Sequence, residues 1–68
     1  MPIYRVRLYN GPMRDGGRDV DLEADDPQSA AESVCGEKLA TEGPIAKYRA
    51  EAWLLRKRPQ VRTSFYLM

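Results

Sequence analysis

Few side chains in this 68-residue chain could carry out catalysis, because it contains one cysteine and no histidine. Cys35 falls on the apolar stripe of a predicted helix, whereas a reactive thiol needs an exposed, electropositive setting. The serines at positions 29, 33 and 64 have no neighbouring base that could activate a hydroxyl nucleophile. We therefore expect a protein that is not an enzyme and that uses no metal and no other cofactor.

Two further patterns look like sites of chemistry but have simpler explanations. Asp25 and Asp26 are adjacent carboxylates, yet they stand directly before Pro27, where a helix N-cap and the first helical position are expected. The glycines at positions 11, 16 and 17 match neither the dinucleotide-binding nor the phosphate-loop spacing. The acids therefore predict a helix start, and the glycines predict a loop between two strands.

The length of the chain indicates a single small domain over residues 1–68. A domain of this size buries only ~60% of the surface of its unfolded chain, so it needs a compact core or a partner chain. The single cysteine rules out a disulfide within the chain and favours the cytoplasm. The longest apolar run, residues 52–55, is too short to span a membrane, so no membrane partner is expected.

Charge is distributed in three blocks, although the net charge is only +1. Residues 1–18 carry four Arg and one Asp, residues 19–42 carry eight acids and one Lys, and residues 43–68 carry six bases and one Glu. Charge asymmetry of this kind concerns partners rather than the fold, so the blocks are a guide to what the protein binds.

Hydrophobic alternation predicts an α+β fold with the element order β-β-α-β-β. The strands are expected to form a four-stranded, mainly antiparallel sheet with one helix packed on one face. Acids on the second strand should pair with Arg5 and Arg7 on the first. The predicted elements are the strands Ile3–Tyr9 and Arg18–Ala24, a helix from Pro27 to about Ala40, and two strands within Lys47–Met68 that flank a basic turn.

The sheet is predicted to leave one face without a covering helix. In the third strand, alternation assigns Tyr48, Ala50 and Leu54 to the helix side and Trp53 to the other side. Exposed aromatic side chains among Arg and Met resemble the composition of protein–protein hot spots, although charged side chains could simply cover them. The apolar residues expected on this side are Ile3, Tyr9, Trp53, Leu55, Tyr66 and Met68.

The turn between the last two strands supports a nucleic-acid alternative. Arg56, Lys57 and Arg58 form a basic cluster, and Trp53 and Tyr66 are aromatic neighbours that could stack on bases. The same cluster could equally be a solubilising turn that protects a hairpin edge. The low net charge and the balance of acids and bases on the sheet weaken this alternative, because dedicated binders of nucleic acid present a face of one sign.

The predicted helix offers an acidic surface. A series of acids along a helix is often only its solvent-exposed face. It could also dock on a basic groove and place negative charge where phosphates would sit. The acids at its start, outer side and end are Asp25, Asp26, Glu32, Glu37 and Glu42.

The small size, the β-β-α-β-β order and the segment from Val20 to Val34 together resemble a known family. The segment combines a strand that ends in Glu-Ala with a helix rich in Ser, Gln and Ala, and a strand that carries Trp53 follows later. This pattern resembles small phage-encoded anti-CRISPR proteins that inhibit type I Cascade surveillance complexes. The resemblance implies a non-enzymatic inhibitor that occupies the nucleic-acid-binding surface of a guide-RNA complex through protein–protein contact.

Three functional hypotheses follow from the sequence. The first is this occluding inhibitor, the second is a nucleic-acid-binding domain that uses the basic turn, and the third is a homodimer in which the uncovered sheet faces pair. The residues expected to contact a partner are Arg5, Arg7, Trp53, Arg56, Lys57, Arg58, Arg62 and Tyr66.

Overall fold

The structure, a computed structural model, describes residues 2–14, 19–56 and 61–68, apart from the side chain of Arg14. The elements in this part of the chain are β1 (Ile3–Asn10), β2 (Met13–Arg14), β3 (Val20–Glu23), α1 (Pro27–Cys35), β4 (Leu39–Ala40), a 3-10 helix (Ile45–Lys47), β5 (Tyr48–Leu54) and β6 (Arg62–Leu67). Five strands form an antiparallel sheet in the order β3-β1-β5-β6-β4, and β2 pairs with the end of β1. The predicted α+β class and antiparallel pairing are confirmed, whereas the predicted count of four strands is wrong.

β1 connects the two halves of the sheet because both of its edges are paired. Arg5 lies opposite Asp21 of β3 on one side and opposite Trp53 of β5 on the other. Alternation along β1 points Val6, which is 0% exposed, towards the helix and places Arg5 and Arg7 on the opposite face. This register confirms the predicted cross-strand pairing of arginines with acids.

α1 begins and ends at the residue types that helix termini prefer. The Asp26 carboxylate accepts a hydrogen bond from the backbone N–H of Ser29 at 2.7 Å, and Pro27 occupies the first turn. Gly36 terminates the helix in the left-handed conformation at φ 78°, where its N–H donates to the Glu32 carbonyl. The prediction that the helix continues to about Ala40 is therefore wrong, because Gly36 caps the helix instead of lying within it.

The residues freed from the helix form β4, which sequence reasoning missed together with the two-residue β2. Leu39 pairs with Leu67 of β6, and its N–H donates to the Glu32 carboxylate at 2.9 Å. Gln28 of α1 donates its side-chain amide to the Leu39 carbonyl at 2.8 Å. Two polar side chains of α1 thus hold β4 against the sheet, and Leu39 enters the core from a strand.

Small side chains fill the space between α1 and the sheet. Ala30 and Ala31 of the helix face Ala50 and Ala52 of β5, and all four are 0% exposed. Among the described residues, Phe65 is the largest of the fully buried side chains. The core comprises Val6, Ala24, Ala30, Ala31, Leu39, Ala50, Ala52 and Phe65.

An irregularity at the start of β5 changes the face of one aromatic residue. The pairing of β5 with β6 shifts register between Tyr48 and Ala50. Tyr48 then lies opposite Tyr66 and contacts Tyr9, on the side of the sheet away from α1. The prediction that Tyr48 faces the helix is therefore wrong, because a bulge breaks the two-residue alternation on which it rested.

Candidate functional site

The candidate site is the sheet face opposite α1, here called the open face. Four strands contribute to it, so residues far apart in sequence meet there by strand pairing. Its side chains are Arg5, Arg7 and Tyr9 of β1, Asp19 and Asp21 in or beside β3, Tyr48, Glu51 and Trp53 of β5, and Arg62, Ser64 and Tyr66 of β6.

Two forked ion pairs join β1 to the segment of β3. Arg5 donates from Nε and Nη2 to the two carboxylate oxygens of Asp21 at 2.7 and 3.0 Å. Arg7 makes the same contact with Asp19 at 3.0 and 3.0 Å. Hydrogen bonding to Asp21 raises the pKa of Arg5, and Arg5 lowers the pKa of the Asp21 carboxyl. Such bidentate pairs fix the orientation of each guanidinium, so this part of the face is ordered in advance of binding.

Trp53 lies beneath the side chains of Arg7 and Arg62. The Arg62 Cζ atom is 4.3 Å from the centroid of the indole ring, and the Arg7 Cζ atom is 5.3 Å from it. Arg62 also donates to Glu51 at 3.1 Å. Trp53 is consequently only 3% exposed. The expectation that Trp53 presents its ring to solvent is wrong, because cation–π contacts from the two flanking strands cover it.

Three tyrosines form a cluster at the end of the open face where β5 begins. The rings of Tyr9 and Tyr48 are stacked at 4.6 Å, and the rings of Tyr48 and Tyr66 are 5.3 Å apart. The Tyr48 hydroxyl donates to Glu51 at 3.2 Å and lies 3.4 Å from the Ser64 hydroxyl. Burial, with a smaller contribution from the charge of Glu51, raises the pKa of Tyr48 to about 12, although the Ser64 hydrogen bond opposes the shift.

The connection between β4 and β5 passes over this cluster. A Cβ atom added to Gly43 would lie 2.9 Å from Tyr66 Cβ, so Gly43 is in direct contact with the tyrosine side chain. Only a residue without a side chain fits this approach without displacing Tyr66. Tyr66 is therefore half-buried and supports the crossing segment.

A shallow groove of about 290 Å³ lies at the other end of the sheet, where β1 begins and β5 ends. Its lining consists of Pro2, Ile3, Leu54 and Arg56. Arg56 is exposed there. Lys57 and Arg58, which complete the predicted basic cluster, lie outside the described residues, as do residues 15–17 of the glycine-bearing loop.

The structure brings together some of the predicted contact residues and separates others. Arg5, Arg7, Trp53 and Arg62 share one charged network, whereas Tyr66 belongs to the tyrosine cluster and Arg56 to the groove. Sequence reasoning missed Tyr48 and Glu51 as the residues that connect network and cluster. Their link could be found only from the register shift, since ideal alternation places these two residues on opposite faces.

The chain matches no protein-family model, no curated protein and no solved structure. Among the described residues, no helix is long and apolar enough to cross a membrane. The same residues contain no cluster of three or more side chains that could together ligate a metal ion. The functional argument therefore rests on the geometry of the open face.

Proposed function

We propose that this protein is a non-enzymatic binding module that recognises another protein through its open face. The observation that supports the proposal is the network in which Arg7 and Arg62 lie over Trp53 while acids on both sides hold the guanidinium groups in place. Arginine and aromatic side chains contribute most to many protein–protein interfaces, and an interface binds more tightly when its side chains are already ordered.

The charge of the open face favours a protein over a nucleic acid. Asp19, Asp21 and Glu51 lie directly beside the arginines. A phosphate that approached Arg5 or Arg7 would also approach a carboxylate, whereas nucleic-acid binders present clustered positive charge. A protein surface with acids and bases in the complementary arrangement could pair with both signs at once.

For the partner we propose a guide-RNA surveillance complex, whose nucleic-acid-binding surface the protein would occlude. This step rests on the resemblance to small phage-encoded inhibitors described above. The exposed acids before and after α1 are consistent with it, since they could face the basic channel that holds nucleic acid in such a complex. These exposed acids are Asp25, Asp26, Glu37 and Glu42.

A charge-swapped variant tests the role of the open face. In Arg5→Asp with Asp21→Arg the cross-strand ion pair is retained while the surface pattern is reversed, and both side chains are 40% exposed in the native pair. We expect the native chain to capture a stoichiometric ribonucleoprotein complex from a host lysate that contains one, and the swapped chain to lose that capture with an unchanged melting temperature. The matched control is Lys38→Glu, a charge reversal at an exposed position that belongs neither to the open face nor to the acids proposed to face the partner.

Two results would contradict parts of the proposal separately. If nothing stoichiometric is captured from such a lysate, the proposed partner is wrong. If the swapped variant captures the complex as well as the native chain does, the open face is not the contact surface.

The nucleic-acid alternative is supported by the exposed Arg56 beside a groove. It requires affinity for single-stranded or duplex nucleic acid that weakens as salt rises. A gel-shift titration over several salt concentrations decides it, and binding that is absent or independent of salt removes this alternative.

A further inference from the structure

The two outer edges of the sheet differ in how they are protected against pairing with another chain. On one side β3 carries acids at alternate positions, with Asp21 and Glu23 in a four-residue strand. Charged side chains of this kind are a common protection of edge strands. On the other side the short β4 covers β6 only at Tyr66 and Leu67.

The remaining part of β6, residues 62–65, carries one charged side chain, Arg62, which lies over Trp53 on the open face and pairs with Glu51. Within residues 2–14, 19–56 and 61–68, the strand that pairs with residues 62–65 is β5, which occupies one side only. After Arg62 the strand continues as Thr63-Ser64-Phe65, which carries no charge, and β-branched and aromatic residues favour strands. Val61 precedes it as a 70% exposed apolar side chain.

We propose that this edge of β6 pairs antiparallel with the same edge of a second copy of the chain, and this goes beyond the proposed binding by the open face. The two β4 strands limit the register, because each blocks the edge from Tyr66 onwards. The pairing that fits between them runs from Val61 to Phe65 and is centred on Thr63. Thr63 then lies opposite its own symmetry mate, and Arg62 lies opposite Ser64 of the second copy.

This register is self-complementary in its side chains. It sets threonine against threonine and Val61 against Phe65 of the second copy, and it puts no like charges directly opposite each other. Val61 would thereby become covered. A strand pair of five residues buries less than the ~1,200 Å² of a standard interface, so the dimer is weak and depends on concentration.

Sedimentation of the native chain over a range of concentrations tests the proposal first. We expect a reversible monomer–dimer equilibrium, and a monomer at every concentration up to about 1 mM overturns the proposal. Val61→Glu should lose the dimer, whereas Ile45→Glu should keep it. Both native side chains are exposed, at 70% and 59%, so neither change is expected to unfold the chain.

Cross-linking locates the centre of the interface. In a Cys35→Ala background, Thr63→Cys should form a disulfide-linked dimer under mild oxidation, since the Cβ atoms of residues directly opposite each other in paired strands lie ~4.5–5.5 Å apart. Thr41→Cys, which is exposed outside the strands, is the control that measures random collision. Equal rates of disulfide formation in the two variants, or a dimer that persists in Val61→Glu, would place the interface elsewhere and overturn the proposal.

Discussion

The two sides of β5 exclude water in different ways. On the helix side Ala50 and Ala52 are fully buried because their small size lets α1 approach closely. On the open face Trp53 is nearly as buried, yet its cover consists of charged arginine side chains that extend to solvent. The first side is closed by packing between elements, while the second is closed by side chains that acids on neighbouring strands hold in place. Neighbouring residues of one strand thus face two different environments, a packed core on one side and a surface of charged side chains on the other.

Truncating one aromatic residue on the helix side of the sheet and one on the open face should have the largest effects on the free energy of unfolding. Phe65→Ala should lower the free energy of unfolding by about 3–5 kcal/mol, because it leaves a cavity between α1 and the sheet. Trp53→Ala should cost less, about 3 kcal/mol, since the arginine side chains can fold into the space. Urea denaturation at pH 7 measures both, and a larger loss for Trp53→Ala would contradict the distinction between the two sides.

Enlarging a helix-side residue should have the next largest effect. Ala52→Leu adds volume where there is no space and should cost about 1–3 kcal/mol. Ser64→Leu is the comparison, because Ser64 is half-buried on the open face, where neighbouring side chains can move. Urea midpoints that are lowered equally in the two variants would show that both sides are packed alike.

Removing one arginine from the cover of Trp53 should have a smaller effect on stability but a clear spectroscopic one. Arg62→Met removes a guanidinium 4.3 Å from the indole centroid, and it should cost about 1 kcal/mol and shift the tryptophan emission to longer wavelength. Arg5→Met should leave the emission maximum in place, because the Arg5 guanidinium pairs with Asp21 and the arginines over the indole ring are Arg7 and Arg62. An unchanged emission in Arg62→Met would show that Arg62 does not shield the ring.

Tyr48→Phe should have the smallest effect at neutral pH, about 1 kcal/mol or less for the lost hydrogen bonds. At alkaline pH the stabilities of the native chain and of Tyr48→Phe should change differently. The pKa of Tyr48 is about 12 in the folded chain against 10.0 for the free side chain, so the unfolded state releases its proton first. The stability due to Tyr48 is complete below pH 10 and is lost as pH rises towards 12. Urea midpoints between pH 9 and 12 should fall less steeply in Tyr48→Phe, and identical slopes would refute the shift.

The regular parts of the fold could be predicted from local pattern. β1 and the ion pairs of Arg5 and Arg7 follow from alternation alone, and Asp26-Pro27 marks the helix start. A glycine after an apolar residue is the usual signal for a helix C-terminus, but a helix predicted from Pro27 to about Ala40 places Gly36 in its interior. That single error concealed β4, because Leu39 then counted as helical.

The candidate site was harder to predict for physical reasons. Which side chains cover Trp53 depends on strand register, and register depends on contacts between distant segments. A bulge is likewise set by tertiary packing, so nothing in the alternation of β5 indicated that Tyr48 turns to the open face. The residue types of the site were recognisable, but their burial was not.

The position of β6 between β5 and β4 has a consequence for the order of folding. β4 and the core residue Leu39 pair only with β6 among the described strands, and β6 is the last of these strands to leave the ribosome. Until then β5 lacks one of its two neighbouring strands, and Gly43 lacks the Tyr66 side chain that it contacts in the folded chain. The sheet therefore cannot be complete before β6 has been synthesised, because β6 is inserted between two strands that precede it in the chain.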